Sequence, residues 1–422
     1  MSSKLQSFAA GAHHDLFNGT INRAYTARCF VGRQPLVEAS HFLVDNTNKK
    51  CIQHLRVIVG EHGDGKTTLA ALLEHIAEIS PNKWLCASIH AEQIELHPNA
   101  SLHAAEFIRK LLRSLHCESP QTSKHIHVDI ITLIREAIDI VEVLSSELGE
   151  DPVVMWHLAW EGFDLSVRLM MEKVFQYVVR PAFGETEHNF NLICEWLSGD
   201  VKELMYDGAR INSLADDWRQ MINIYLQLAK LAGYHGIMLV LDEMDVCYQH
   251  FSRRQNDRLQ HFIREIVDWP DDERPEDIRL LFLIAVSQRW MSELTNYEAL
   301  HARLRGTKGA PAKLTPVWDL NEYPIEENDW RKMCRHLLAI SHLAGWPLAP
   351  SIRKSWLKDM NELFCKLTYQ PGLMRAFQQE CLATISSLSE GKFDDPVNWM
   401  LSEQIAGRLQ IYLDEDRTEY GH

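Results

Sequence analysis

Residues Gly60, Glu61, His62, Gly63, Asp64, Gly65, Lys66 and Thr67 carry the spacing G-x-x-x-x-G-K-[ST] of a phosphate-binding loop. Glycines at this spacing let consecutive backbone N–H groups curl around a polyphosphate. A helix opening at the end of the loop adds the positive end of its dipole. In such a loop Lys66 reaches the β- and γ-phosphates, Thr67 offers its hydroxyl to Mg²⁺, and Thr68 extends the same first turn. The ligand is a nucleoside triphosphate. Hydrolysis asks for more, namely a metal-holding carboxylate and a group that activates water. Asp242 and Glu243, at the end of the apolar run Ile237-Met238-Leu239-Val240-Leu241, are of the right type. Asp242 would complete the Mg²⁺ shell and Glu243 would act as general base. A surface acidic pair closing a strand is the plainer alternative.

Three further places carry polar groups that suit phosphoryl chemistry. Ser287 and Gln288 follow the apolar run 279–286, where either could orient water or touch the γ-phosphate, or simply form a turn. Arg303 and Arg305 lie in a short helical stretch, and one of them could stabilise transition-state charge on a neighbouring subunit's nucleotide. Solvated surface arginines are the alternative. Arg375 falls in the first turn of a helix, against the helix dipole, which suggests a nucleotide contact from a lid.

The elements that must position these groups read clearly. The run 55–59 is a strand entering the loop, and a helix opens after it. A second short strand spans 83–89. Helical patterns dominate 102–234, with stretches at 102–115, 128–148 and 153–179. Gly233 and Gly236 bracket the passage from a helix into the strand 237–241. That strand and 279–286 are apolar throughout, as strands buried on both faces are. A last strand near 314–320 is followed by helices at 327–343, 350–368 and 371–389, and by a tail helix near 396–413. Strands alternating with helices give a doubly wound parallel sheet, then an all-helical domain. The expected divisions are an arm over 1–28, a nucleotide-binding domain over 29–322 with a helical insertion at about 100–232, a lid over 323–392 and a tail over 393–422.

Composition narrows the class. Of 422 residues 46% are apolar and 24% charged, an ordinary globular balance. No apolar run approaches a membrane span, and the first residues lack a secretory pattern. The nine cysteines are scattered without a C-x-x-C pair, as expected of core thiols in a reducing cytoplasm. Acids outnumber bases 58 to 43, for a formal charge of −15, which disfavours broad phosphate-backbone binding and leaves a local basic face open. The aromatics Trp156, Trp160, Phe163, Phe175, Tyr177 and Phe183 sit at helical spacing and are expected in the core rather than stacked on bases.

Together these residues resemble the AAA+ P-loop ATPases, especially the branch with origin-recognition-like and signal-transducing members. Phe30-Val31-Gly32-Arg33 looks like that branch's box beside the adenine, 60–67 like Walker A and 238–243 like Walker B. Ser287 or Gln288 falls at sensor 1, Arg303 or Arg305 near the arginine finger, and Arg375 at sensor 2. Lys66 and Asp242 stand 176 positions apart, well over twice the separation in compact modules of this class, and the excess is the helical block. The stretch 195–200 and the following run into Asp242-Glu243 are similar to the ATP-binding proteins of bacterial BREX-type phage-defence systems. About thirty residues follow the lid, too few for the winged-helix DNA-binding domain of origin-recognition-like relatives. The resemblance implies an α/β P-loop AAA+ core with ATP and Mg²⁺ as cofactors. It also implies an oligomer or a complex with other defence proteins, no membrane, and DNA as an open possibility. The activity so implied is ATP hydrolysis within an anti-phage complex. A slowly hydrolysing nucleotide switch that recruits effectors is the alternative, and a small-molecule kinase a distant third.

Overall fold

The computed structural model describes residues 3–18, 30–45, 55–61, 63–90, 104–118, 125–179, 185–201, 203–206, 209–212, 217–244, 252–270, 273–305, 310–366 and 373–391. The expected tail helix near 396–413, Phe183 and His62 lie outside them.

The strands in chain order are β1 (Leu55–Val59), β2 (Trp84–His90), β3 (His116–Glu118), β4 (His125–His127), β5 (Glu203–Tyr206), β6 (Ala209–Asn212), β7 (Gly236–Asp242), β8 (Arg279–Val286) and β9 (Val317–Asp319). Seven of them form one sheet in the order β4-β3-β2-β7-β8-β1-β9, while β5 and β6 pair separately as a hairpin. The five strands from β2 to β9 are parallel, and β3 and β4 extend the β2 edge antiparallel. Because β8 lies between β1 and β7, the loop after β1 and the acids after β7 flank the end of β8. Register aligns Val59 with both Val286 and Asp319, and Asp242 with His90. The glycine loop, the acid pair and Ser287–Gln288 therefore gather at the carboxyl edge of one parallel sheet, where such folds bind ligands.

The helices are α1 (Ser3–Phe17), α2 (Gln34–Asp45), α3 (Lys66–Ile79), α4 (Ala104–Arg113), α5 (Ile130–Leu148), α6 (Pro152–Ala159), α7 (Leu165–Val179), α8 (Glu185–Leu197), α9 (Trp218–Leu231), α10 (Arg253–Val267), α11 (Gln288–Glu293), α12 (Glu298–Leu304), α13 (Glu327–Ala344), α14 (Pro350–Lys366) and α15 (Leu373–Ser389). Side chains alternate across β7 with period two. Met238 and Val240 join α2 and α3 on one face, while Ile237, Leu239 and Leu241 join the opposite core. That opposite core also takes in Leu111 of α4 and Ile222 and Leu226 of α9, so the interior of the insertion is continuous with the sheet's own. Gly236 opens β7 under the indole of Trp84, and a Cβ there would lie 2.5 Å from Trp84 Cζ3.

Two expectations need correction. The stretch 153–179 is two helices, α6 and α7, broken over Trp160–Asp164 at Gly162. Folding back brings Trp160 to 5.7 Å from Trp156 and 5.0 Å from Phe163, and Trp156 to 5.4 Å from Phe175 between ring centres. Aromatic packing of this kind outweighs continuing one helix past a glycine. The block 102–234 is also not helical throughout, since β3, β4 and the β5–β6 hairpin interrupt it. Strands of three or four residues carry too few positions to display a period-two pattern. The aromatic expectation holds for Trp156, Trp160 and Phe175, which are buried, and for Phe163 and Tyr177, which pack partly buried against the same core.

The lid helices α13, α14 and α15 enclose their own core around Trp330, Trp356 and Phe377. Within the segment read as an arm, α1 packs on α13 and α15. His13 is buried there, stacked on Trp346 at 4.2 Å with its Nε2 3.4 Å from the Ser386 hydroxyl. No described helix is long and apolar enough to cross a membrane.

Candidate functional site

Backbone geometry builds the loop. Gly63 (φ 81°) and Gly65 (φ 92°) take left-handed conformations that side-chain-bearing residues avoid. At Gly60 a Cβ would come within 3.0 Å of Leu320 Cδ1 and 3.2 Å of Asp64 Cβ. Asp64 is buried beneath the loop, and its Oδ2 accepts the Glu61 N–H at 2.7 Å. The loop ends in α3, whose cap Gly65 provides no side-chain acceptor for the first-turn N–H groups. Those donors point at the loop, as an anion site requires. Lys66 and Thr67 are nearly buried, and Thr68 is half-buried. Lys66 Nζ folds back over the loop and donates to the Gly60 and Glu61 carbonyls at 2.9 and 3.0 Å.

At the end of β7, Asp242 is wholly inaccessible. Its Oδ1 accepts the Glu243 N–H at 2.9 Å, whereas Oδ2 has no hydrogen-bond partner among the described residues. His90 Nδ1 lies 3.7 Å from Oδ2. Glu243 has φ 57°, a left-handed conformation that is strained for a non-glycine residue. That turn takes the chain out of the sheet plane and leaves the Glu243 side chain half-exposed.

The remaining expected residues fall into different situations. Ser287 caps α11, its hydroxyl accepting the Trp290 N–H at 3.4 Å. Gln288 donates from Nε2 to Asp319 Oδ1 at 2.7 Å, linking the ends of β8 and β9 beside the loop. Arg303 is held within its own chain, with Nε on Asp268 and a 2.7 Å bond to the Ala299 carbonyl. Arg305, at the end of α12, is exposed. Arg375 is also exposed, in the first turn of α15. Arg33 is buried. Its φ is 51°, and its buried guanidinium donates to the Tyr323 carbonyl at 3.0 Å and the Asp64 carbonyl at 2.5 Å. It clamps the loop to the chain at Tyr323.

Residue types alone did not point to His90, Asp319 or Tyr323. His90 ends an ordinary strand, and only its register opposite Asp242 places it in the site. The other two enter through partners about 30 and 290 positions away.

A parallel sheet with the loop, acid pair and β8 at one edge, followed by a helical bundle, resembles the α/β P-loop core of the AAA+ class. Within that class the chain resembles the ATP-binding proteins of BREX systems, since a family model described as BREX system ATP-binding protein BrxC/D matches residues 164–343. This is the group that the sequence motifs resembled. No curated protein matches the chain. Among solved structures, one titled "Structure of Drosophila ORC bound to DNA" is similar at a TM-score of 0.39 and 11% identity, covering 96% of this chain. The chain spans 66% of that one's length.

Proposed function

We propose that the chain binds ATP with Mg²⁺ at the loop 60–67 and hydrolyses it, as an oligomeric or partner-bound component of a BREX-like anti-phage complex. The observation that carries the reading is Asp242 Oδ2, a buried carboxylate oxygen without a hydrogen bond among the described residues, at the same sheet edge as the phosphate loop. A buried acceptor left unpaired is costly, and a cation shell would satisfy it. Thr67 and Asp242 are the Mg²⁺ ligands in this reading. Gly60, Glu61, His62, Gly63, Asp64, Gly65, Lys66, Thr67 and Thr68 form the phosphate cradle. The metal supplies charge neutralisation on the phosphates. The chain's own residues do the rest. Lys66 leaves the Gly60 and Glu61 carbonyls for phosphate oxygens, Glu243 takes a proton from water, and Gln288 orients that water from the end of β8.

Arg305 is the stronger candidate for a contribution in trans, because Arg303 is already engaged in cis. Arg375 would reach the nucleotide from the lid, and Arg33 supports the loop indirectly. ATP turnover measured over a protein concentration series, with and without double-stranded DNA, tests the proposal. Specific activity rising with concentration, lost in Lys66→Ala and Arg305→Ala, supports shared sites. Tight ATP binding with no turnover at any concentration would favour a nucleotide-loaded switch that recruits effectors.

A further inference from the structure

Nine of the fifteen exposed large apolar side chains among the described residues fall within positions 140–169. They include Val143, Leu148, Val153, Val154, Leu158 and Leu165, each between 47% and 67% exposed. The helices that carry them, α5, α6 and α7, pack on one another. On α5 the inner stripe of Leu133, Ile134, Ala137, Ile138 and Val141 is buried in the core, and a second apolar stripe faces outward. A surface helix of a monomer does not need two such stripes. Between α6 and α7 the face opens into a groove of about 210 Å³, lined by Val154, Trp156, Leu158, Trp160 and Phe175 with Glu172 beside them. Arg168 also lines the groove, and Arg135 is exposed on α5, but the charge between them is acidic. Positions 136–167 hold eight aspartates and glutamates and no lysine or arginine, and Glu142, Glu147, Glu150 and Glu161 are exposed.

We propose that this outer face of the insertion is a docking surface for a basic amphipathic helix of a partner protein. An apolar stripe would enter the groove, and flanking lysines or arginines would meet the acidic rim. The same charge disfavours the other occupants. Nucleic acid and anionic lipid are both repelled. A second copy would set acid against acid across a two-fold contact. The chain's own stretch 393–422 carries seven acids against two arginines. The inference stands on this surface alone and does not depend on the nucleotide chemistry.

The test uses the full chain and a synthetic helical peptide of about 18 residues, enough for five turns, with leucines at i, i+3, i+4 and i+7 flanked by lysines. A peptide with glutamates in place of the lysines and a scrambled lysine peptide serve as controls. Fluorescence anisotropy should show the lysine peptide binding at least about tenfold more tightly than either control, a preference that weakens with added salt. Hydrogen exchange should show protection confined to α5–α7. Leu158→Glu and, separately, Glu150→Lys should each weaken binding about tenfold while leaving the thermal transition in place. Lys66→Ala should bind the peptide as the parent does, so a failure of the nucleotide reading would leave this result standing. Equal binding of the lysine and glutamate peptides, or protection elsewhere, would overturn the proposal. So would sedimentation showing a dimer that Leu158→Glu dissociates, which would give the face to a second copy.

Discussion

Asn in place of Asp242 should make the protein more stable without ligand and less stable with it. The side chain is fully buried, one oxygen holding a single hydrogen bond from the Glu243 N–H and the other holding none among the described residues. Asn keeps the shape and the Oδ1 acceptor and removes a buried charge that His90 Nδ1, 3.7 Å from Oδ2, faces without a hydrogen bond. Leaving a buried polar group unsatisfied costs about 1–3 kcal/mol, and more for a charged one. The ligand-free variant should therefore gain about 1–2 kcal/mol, toward the lower end because Asn also leaves a group in need of a partner. With MgATP at a hundredfold excess over its Kd, the parent should gain about 2.7 kcal/mol, and the variant should gain little beyond what Mg²⁺-free ATP provides. The two denaturation curves should thus exchange order on adding MgATP. Urea titration followed by tryptophan fluorescence, with and without Mg²⁺ and ATP, reads both differences. A ligand-free variant less stable than the parent would refute the argument, because the Asp242 carboxylate would then be satisfied as it stands.

The other expectations are simpler. Glu243→Gln should retain MgATP binding while turnover falls by about 10²–10⁴, measured by phosphate release beside equilibrium binding. Gly236→Ala should destabilise by about 1–3 kcal/mol through the overlap with Trp84, and Trp84→Leu in the same chain should recover part of it. His13 is held below its ordinary pKa of 6.5 by burial, with His14 adding to the effect. The unfolded or undocked state then binds more protons, so docking of α1 is intact above about pH 6.5 and is lost as pH falls through the lowered value. Hydrogen exchange of α1 at pH 7.5 and 5.5 should show this, and His13→Phe should flatten the dependence.

The glycine-rich loop 60–67 and the acid pair were legible as motifs because their patterns are local. Eight consecutive residues make the loop, and one apolar strand delivers Asp242 and Glu243. Buried parallel strands announce themselves by apolar runs, so β7 and β8 were placed within a residue or two. What the sequence concealed depends on contacts between distant positions. The type of Arg33 suggested a ligand contact, whereas its hydrogen bonds run to Asp64 and Tyr323, 31 and 290 positions away. The pairing of His90 with Asp242 exists only through the register of β2 on β7. The break at Gly162 rests on aromatic packing that periodicity does not weigh, and β3 to β6 are too short and too polar to stand out.

Since α4 and α9 form one core with β2 and β7, the insertion is not a detachable module. Excising it would strip one face of the sheet and expose Leu85, Ala87, Leu239 and Leu241. Its inner helices are thereby bound to the same constraints as β2 and β7, while α5, α6 and α7 answer to fewer of them. Sequence drift has room in that outer layer, where a substitution can alter recognition without disturbing the strands that carry His90 and Asp242.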